Sequence, residues 1–205
     1  MTLLQEPITV TAAEYLVRER AAETKSEYSR GEIRPIPGAS RKHNLAAGNI
    51  YASLHTQLRK SRCEIYPSDM RVKVEATELI TYPDISVVCG EPRFDDSYKD
   101  TLLNPTVLIE VLSPSTSAYD RGEKFENYRQ IVSLQDYLLV AQEKMQVECY
   151  SRQPDNTWIF TEFKRASDQF VLASIGCTLA LEDIYEKVTI DQLQSQSMNG
   201  QSHRE

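Results

Sequence analysis

The sequence has few cysteines and no closely spaced pair of them. The four cysteines, Cys63, Cys89, Cys149 and Cys177, lie far apart along the chain. Zinc clusters need ligand pairs at short spacing, such as C-x-x-C, so a cluster of this kind is excluded. Three of the four lie in apolar or alternating stretches that are typical of strands. We expect all the cysteines to be reduced and packed as small hydrophobic side chains.

Long hydrophobic runs are missing as well. No stretch of about 18 consecutive apolar residues occurs, so nothing in the sequence predicts a membrane-spanning helix. The segment from Met1 to Val10 has no basic start followed by an apolar core, which a secretory signal requires. These two absences lead us to expect a cytoplasmic protein that does not bind a membrane.

An overall excess of positive charge is also absent. The formal net charge of −7 argues against a general nucleic-acid coat protein. Residues 1–75 carry 12 Lys and Arg against 9 Asp and Glu, whereas residues 76–205 carry 11 against 21. A basic region of this kind is able to meet a phosphate backbone. An uninformative scatter of surface charge would give the same counts.

Helix signals are concentrated in the first third of the chain. Thr11 begins a capping box with Glu14, which predicts a short helix to about residue 24. Ser40 is a candidate cap for a longer helix that runs through Lys60. Apolar residues recur in this second segment at helical spacing and predict a buried stripe. The stripe consists of Leu45, Ala46, Ile50, Leu54 and Leu58.

Strand signals occupy the middle and the end of the chain. An edge strand is expected at residues 32–37, because its two prolines exclude a central place in a sheet. Further strands are predicted at residues 63–66, 71–75, 85–89, 106–112, 137–141, 145–150 and 158–164. The turn sequence at residues 153–156 joins the last two into a C-terminal hairpin.

A third helix is predicted at residues 121–132, with Phe125, Tyr128 and Val132 on one side. Together these elements indicate an α/β (α+β) fold, in which helices flank a mixed sheet of five or more strands. We expect one domain over residues 1–190. Residues 191–205 are rich in Gln and Ser, and we expect a disordered tail there.

Glu110 interrupts the otherwise apolar run at residues 107–112. Such a run indicates a strand that is covered on both faces. Burial of a carboxylate without a partner costs several kcal/mol, so we expect Glu110 to contact a cation. The alternative is a strand that leaves the sheet at Glu110, so that the carboxylate meets water. Leu112 lies on the same face and argues against that alternative.

Asp84 directly follows Pro83 and precedes the predicted strand at residues 85–89. A Pro-Asp pair alone is more often a turn or a cap. If this strand pairs with residues 106–112, however, Asp84 and Glu110 come close together. Two carboxylates that face one cavity suit Mg²⁺ (or Mn²⁺), because Mg²⁺ prefers oxygen ligands and keeps several waters.

Lys124 begins the predicted third helix, at the margin of its apolar side. From there its ammonium is able to reach the two carboxylates. A lysine beside a metal-bound water orients that water or accepts its proton. The alternative is a solvated lysine on the polar face of the helix.

These residues together resemble the signature of a bacterial endonuclease family, the Uma2 type of the PD-(D/E)XK superfamily. The similar positions are Pro83-Asp84, residues 110–116, Asp120-Arg121, Lys124 and Tyr128, and the resemblance spans roughly residues 10–185. The family carries its catalytic lysine on the following helix, where this chain has Lys124. Leu112 occupies the usual lysine position of the superfamily. The chain also lacks the family's usual glycine and Tyr-Trp step around residues 131–138, which we interpret as local repacking.

The resemblance implies a restriction-endonuclease-like fold and metal-dependent hydrolysis of phosphodiester bonds in DNA or another nucleic acid. Asp84, Glu110 and the backbone carbonyl of Val111 would bind Mg²⁺ or Mn²⁺. Glu27 or Glu32 would supply an additional acid. His43 would lie near the site, although a histidine on a helix surface is the commoner case.

Basic residues near the long helix are candidates for contacts with a nucleic-acid backbone, which would be independent of base sequence. They are Arg41, Lys42, Arg59, Lys60 and Arg62. A homodimer is expected, because cleavage of both strands of a duplex requires two sites.

Two other functions remain open. The first is a catalytically inactive member of the same fold that binds nucleic acid or a protein partner. The second is a different hydrolase, in which Ser113, Ser115 or Thr116 acts with His43. The sequence has no G-x-S-x-G motif, which argues against this second alternative.

Overall fold

The computed structural model describes residues 10–190, and the predicted tail at residues 191–205 lies outside the described part. The helices are α1 (Ala12–Ala21), α2 (Arg41–Leu58), α3 (Ser117–Tyr119), α4 (Phe125–Tyr128) and α5 (Leu181–Ile184), and a π-helical turn (Asp120–Lys124) joins α3 to α4. Over residues 10–190, no helix combines the length and the apolar character that a bilayer crossing requires.

The strands are β1 (Ser26–Ser29), β2 (Glu32–Pro35), β3 (Cys63–Pro67), β4 (Arg71–Val74), β5 (Leu79–Thr81), β6 (Ile85–Cys89), β7 (Thr101–Leu102), β8 (Val107–Leu112), β9 (Asp136–Ala141), β10 (Val147–Arg152), β11 (Trp158–Phe163), β12 (Gln169–Leu172) and β13 (Cys177–Ala180). They form a six-stranded sheet, a five-stranded sheet and the separate pair β12–β13.

The six-stranded sheet has the order β11-β10-β9-β8-β6-β3. It is mixed, because β8 and β9 are parallel whereas the other pairs are antiparallel. The predicted C-terminal hairpin is confirmed as β10 and β11. All six residues of β8 are buried, including Glu110. The prediction that this strand is covered on both faces is therefore correct.

Helix α2 covers one face of the six-stranded sheet. Ser40 caps it, as predicted, by accepting a hydrogen bond from the backbone N–H of His43. The buried residues of the helix are Ala46, Ile50, Leu54 and Leu58, which pack with the inward side chains of β6, β8 and β9 and with β13 and α5. The opposite face of the sheet packs against a second cluster that includes Tyr128, Leu134 and Tyr137.

The five-stranded sheet has the order β2-β1-β5-β4-β7, and β2 is its exposed edge strand. A two-residue turn, Arg30-Gly31, joins β1 to β2, and both residues have positive φ (49° and 94°). This backbone is typical of the tight hairpin turn that matches the natural strand twist. The hairpin places β1, and with it Glu27, beside the end of β8 that carries Glu110.

The third predicted helix differs from the structure. The helical segment begins at Ser117 instead of residue 121 and ends at Tyr128 instead of residue 132. Val132 is 87% exposed and is not part of a buried stripe. The guanidinium of Arg152 explains the early end, because its Nη2 donates to the carbonyls of Arg129 (2.7 Å) and Ile131 (2.9 Å). These carbonyls are satisfied without a further helical turn.

The expectation of four reduced cysteines is wrong for two of them. Cys63 and Cys89 lie directly opposite each other on the paired strands β3 and β6 and form a disulfide. Cys149 and Cys177 are free and buried. Strand register brings the first two sulfurs together, and the spacing of 26 residues along the chain gave no sign of the pairing.

The disulfide gives a direct test. Alkylation of the purified protein in denaturant without a reductant should modify two cysteines, and after reduction it should modify four, as measured by intact mass. Reduction should also lower the free energy of unfolding by about 2–4 kcal/mol, because the unfolded chain loses a constraint. Four modified cysteines before reduction would contradict the pairing.

Candidate active site

A cavity of about 850 Å³ opens where the end of β8 meets the start of β6, the hairpin β1–β2 and the first turn of α2. Its lining includes Glu27, His43, Asp84, Glu110, Asp120 and Lys124. The strand β6 begins at Ile85, opposite Ile109 of β8, so Asp84 lies beside the next residues of β8. The structure therefore brings together all three residues predicted as the catalytic core.

Lys124 lies at the centre of the acidic groups. Its Nζ is 3.0 Å from Glu110 Oε1, 3.1 Å from Glu27 Oε1 and 3.3 Å from Asp120 Oδ1. Asp120 and Lys124 are four residues apart in the π-helical turn, and residues at this spacing lie on the same face of a helical segment. The alternative of a solvated lysine is wrong, since the Lys124 side chain is 8% exposed.

Glu110 holds its proton more tightly than an ordinary glutamate does. Desolvation by burial raises its pKa; the Lys124 ammonium lowers it; and Asp120, Asp84 and Glu27 raise it again, to about 8. Burial and the other acids together outweigh the effect of the one ammonium on this pKa. A carboxyl group held in this state is typical of functional sites.

Lys124 keeps its proton at neutral pH. Burial alone would lower its pKa, but the Glu110, Glu27 and Asp120 carboxylates hold it well above the usual lysine value. An ammonium accepts no proton, so of the two roles predicted for Lys124, orienting a water and accepting its proton, the second is disfavoured at neutral pH. The ammonium acts here as a fixed hydrogen-bond donor and a positive charge.

Asp84 is held through one of its two carboxylate oxygens. The backbone N–H of Val111 donates to Asp84 Oδ2 (2.7 Å), and His43 Nε2 is 3.1 Å from the same atom. The N–H and the carbonyl of a strand residue point to the same edge of the strand. The carbonyl of Val111 therefore faces the edge of β8 at which Asp84 lies.

Glu110, like Asp84, is held through one of its two carboxylate oxygens. Lys124 Nζ and the Tyr128 hydroxyl (2.8 Å) both donate to Oε1. These contacts leave Oε2 of Glu110 and Oδ1 of Asp84 for a ligand in the cavity. Within residues 10–190, no three His, Cys, Asp or Glu side chains converge as a ready-made metal site. A metal ion bound here would rest on two carboxylates, backbone and water.

Comparison with known proteins decides the family. The family profile described as "Uma2: Putative restriction endonuclease" matches residues 12–182. The chain belongs to the Uma2 family. Two uncharacterized proteins of Synechocystis sp. are similar to it. The protein sll1609 is 42% identical over 153 residues, which is 75% of this chain and 86% of that protein. The protein slr1290 is 37% identical over 172 residues, which is 84% and 89%.

A solved structure shows the fold of this Uma2 chain independently. It is the crystal structure of "a putative nuclease belonging to DUF820" from Anabaena variabilis, with a TM-score of 0.69 and 19% identity. The match covers 86% of this chain and 97% of that one. At this identity the likeness shows the fold alone. The predicted restriction-endonuclease-like fold, with mixed sheets flanked by helices, is confirmed, and family membership supports a nuclease-like function.

The structure separates the auxiliary candidates of this Uma2 protein. Glu27 lies in the site, where it contacts Lys124 and accepts a hydrogen bond from the Thr81 hydroxyl. Glu32 lies on the exposed edge strand and pairs with Arg34 (3.0 Å), outside the acidic cluster. His43 contacts Asp84 and is not a surface residue of α2.

The five basic residues predicted to contact a nucleic-acid backbone do not form one group with the site. Arg41 and Lys42 begin α2, and Lys42 pairs with Glu143 (2.6 Å). Arg59, Lys60 and Arg62 lie beyond the other end of this 18-residue helix, about 27 Å away. The basic side chains that line the cavity, besides Lys124, are Lys25 and Arg34.

Asp120 and Tyr128 are site residues whose roles the sequence reasoning missed. Asp120 is almost fully buried beside Lys124, and Tyr128 fixes Glu110. The spacing of four residues between Asp120 and Lys124 was a signal for an ion pair on a helical segment. Tyr128 had been interpreted only as a packing residue, and no spacing rule links it to a strand.

The raised pKa of Glu110 predicts how stability varies with pH. The folded state keeps a proton up to about pH 8 that the unfolded state loses in the ordinary glutamate range. This contribution is present at acid pH and is lost as the pH rises through 8. The Glu110→Gln protein, which stays neutral, should be more stable than the parent at pH 9 by a few kcal/mol, and the gap should close toward pH 5.

Urea unfolding from pH 5 to pH 9 measures this difference. Glu32→Gln, an exposed acid of the neighbouring hairpin, is the matched control and should change stability little at any pH. Equal stability of Glu110→Gln and the parent at pH 9 would contradict the raised pKa.

Proposed function

We propose that this Uma2 protein is a divalent-metal-dependent phosphodiesterase of the PD-(D/E)XK type that hydrolyses nucleic acid. The observation that supports the proposal most strongly is the pair of carboxylates at the cavity. Asp84 and Glu110 are each held through one oxygen by protein donors, and each has a second oxygen left for a ligand. The family description and the restriction-endonuclease-like fold point to the same chemistry.

The donor set fits Mg²⁺ or Mn²⁺. Two carboxylates and the Val111 carbonyl are the hard oxygen ligands that Mg²⁺ takes, and Mg²⁺ commonly uses only one or two carboxylates. The raised pKa of Glu110 is a second reason, because burial and the neighbouring acids both disfavour its negative charge, and a divalent cation would offset both effects. When bound, such an ion activates water and polarises a phosphate oxygen.

The residues around the two ligands fix their orientation. Glu27 and Asp120 hold the Lys124 ammonium against Glu110, and the Tyr128 hydroxyl, one turn further along the same helical segment, fixes the same carboxylate. Because Lys124 stays protonated and its three N–H groups face Glu110, Glu27 and Asp120, it holds these acids in place and puts a positive charge beside a phosphate group. It would orient a water molecule only when one of these acids releases its N–H. Positioning of this kind lowers the cost of reaching the transition state.

Nicking of supercoiled plasmid in the presence of Mg²⁺ or Mn²⁺ tests the proposal. Glu110→Ala and Asp84→Ala should each lower the cleavage rate by at least about a hundredfold. Glu182→Ala, at an exposed acid of α5 that does not line the cavity, should cleave at the parent rate. Single-stranded DNA and RNA are tested in parallel to define the substrate.

Two results would contradict the proposal. The first is metal-dependent cleavage that Glu110→Ala retains, which would trace the activity to a contaminant. The second is binding of nucleic acid without cleavage of any of the three substrates, which would favour the inactive binding module.

We assign Arg34 to contact with a phosphate group of the substrate. It lines the cavity from strand β2, its side chain is 48% exposed, and its partners Glu32 (3.0 Å) and Glu123 (3.7 Å) are also exposed. Exposed ion pairs of this kind are weak, so a phosphate can replace them. Lys25 is more firmly engaged, with the Ser68 carbonyl (2.8 Å) and Asp69 (2.6 Å).

Salt dependence of binding tests this assignment. Arg34→Ala should weaken the binding of a labelled oligonucleotide in metal-free buffer and reduce the slope of log K against log salt by about one. Arg59→Ala, at the far end of α2, is the matched control and should leave the slope unchanged. Fluorescence anisotropy gives both quantities. An unchanged slope for Arg34→Ala, or an equal loss for Arg59→Ala, would refute the assignment.

A further inference from the structure

His43 lies on the first turn of α2, and its imidazole faces the cavity instead of solvent. Its Nε2 is 3.1 Å from Asp84 Oδ2, and the two side chains are 15% and 16% exposed. The carboxylate oxygen accepts, so Nε2 carries the hydrogen. The neutral ring then has an acceptor at Nδ1.

His43 Nδ1 is buried and has no hydrogen-bond partner among the described residues. A buried polar atom normally finds a partner, and leaving it without one costs free energy. Among the described residues, the ring therefore makes its polar contact through Nε2 and Asp84. A histidine placed only for packing would not explain this orientation.

The first turn of α2, which carries His43, is packed and hydrogen-bonded against the six-stranded sheet. Ser40 caps the helix, donates its hydroxyl proton to Gln142 Oε1 (2.6 Å) and so ties the first turn of α2 to the end of β9. Behind it, Ala46 and Ile50 are fully buried against the six-stranded sheet. The imidazole thus reaches Asp84 from an element that cannot move independently of the strands.

We propose that His43 is a positioning residue for Asp84, a role that rests on the proposed function of the site. His43 Nε2 and the Val111 N–H approach the same oxygen, Oδ2, from α2 and from β8. This double contact fixes the rotation of the carboxylate and turns Oδ1 toward the cavity, where a divalent cation would bind. Without His43 the carboxylate keeps one donor and is free to rotate about it.

Mn²⁺ binding to the full-length protein without nucleic acid tests this role by isothermal titration calorimetry at a fixed pH. His43→Leu, which keeps much of the volume and removes the donor, should weaken the affinity for Mn²⁺ by about tenfold or more. His43→Gln, whose amide Nε2 is able to donate to the same oxygen, should recover most of the affinity. His55→Leu, an exposed histidine of the same helix, should bind as the parent does.

The variants also separate positioning from general stability. Thermal unfolding of each variant is measured beside the titration. If His43 positions Asp84, His43→Gln should bind Mn²⁺ more tightly than His43→Leu, whichever of the two variants has the higher melting temperature. Equal Mn²⁺ affinity of the parent, His43→Leu and His43→Gln would overturn the role of His43 and leave the metal site standing. A parent that binds no Mn²⁺ would overturn the metal site and, with it, the role of His43.

Discussion

Burial of Glu110 among other acids is the constraint on which the rest of the site depends. A carboxylate inside a fully covered strand needs compensation, and here one ammonium, Lys124, is shared among Glu110, Glu27 and Asp120. Burial and the neighbouring acids outweigh this compensation and raise the pKa of Glu110 to about 8. A protein that needed only stability would place an apolar residue at this position, because a buried ion pair seldom improves on hydrophobic packing.

Several irregular features of the fold serve this cluster. The strand β6 begins opposite Ile109, so the next residues of β8 leave their edge open to the side chain of Asp84. The π-helical turn carries Asp120 and Lys124, and both side chains are buried. The tight hairpin at Arg30-Gly31 brings Glu27 in from the second sheet. Each feature departs from regular structure next to the acids, and π-helical turns are frequent at functional sites.

Much of this site could be predicted from the sequence, because local patterns are sufficient for strands and their ends. The apolar run around Glu110 indicates its burial, and the position of Asp84 at the start of a neighbouring strand indicates that the two acids lie close together. Long-range geometry explains what was missed. The choice between Glu27 and Glu32 depends on which residue of a hairpin faces the neighbouring sheet. The Cys63–Cys89 pairing depends on strand register. The cavity cation Arg34 was overlooked because clusters of basic residues elsewhere gave a stronger signal along the chain.

The proposed function requires that Asp84 and Glu110 bind a divalent cation. Anomalous diffraction from a crystal soaked in Mn²⁺ locates such an ion without reliance on turnover. We expect one strong peak between Asp84 and Glu110, within coordination distance of Asp84 Oδ1, Glu110 Oε2 and the Val111 carbonyl. A map with no peak there, in a crystal that retains the contact between Lys124 and Glu110, would contradict it.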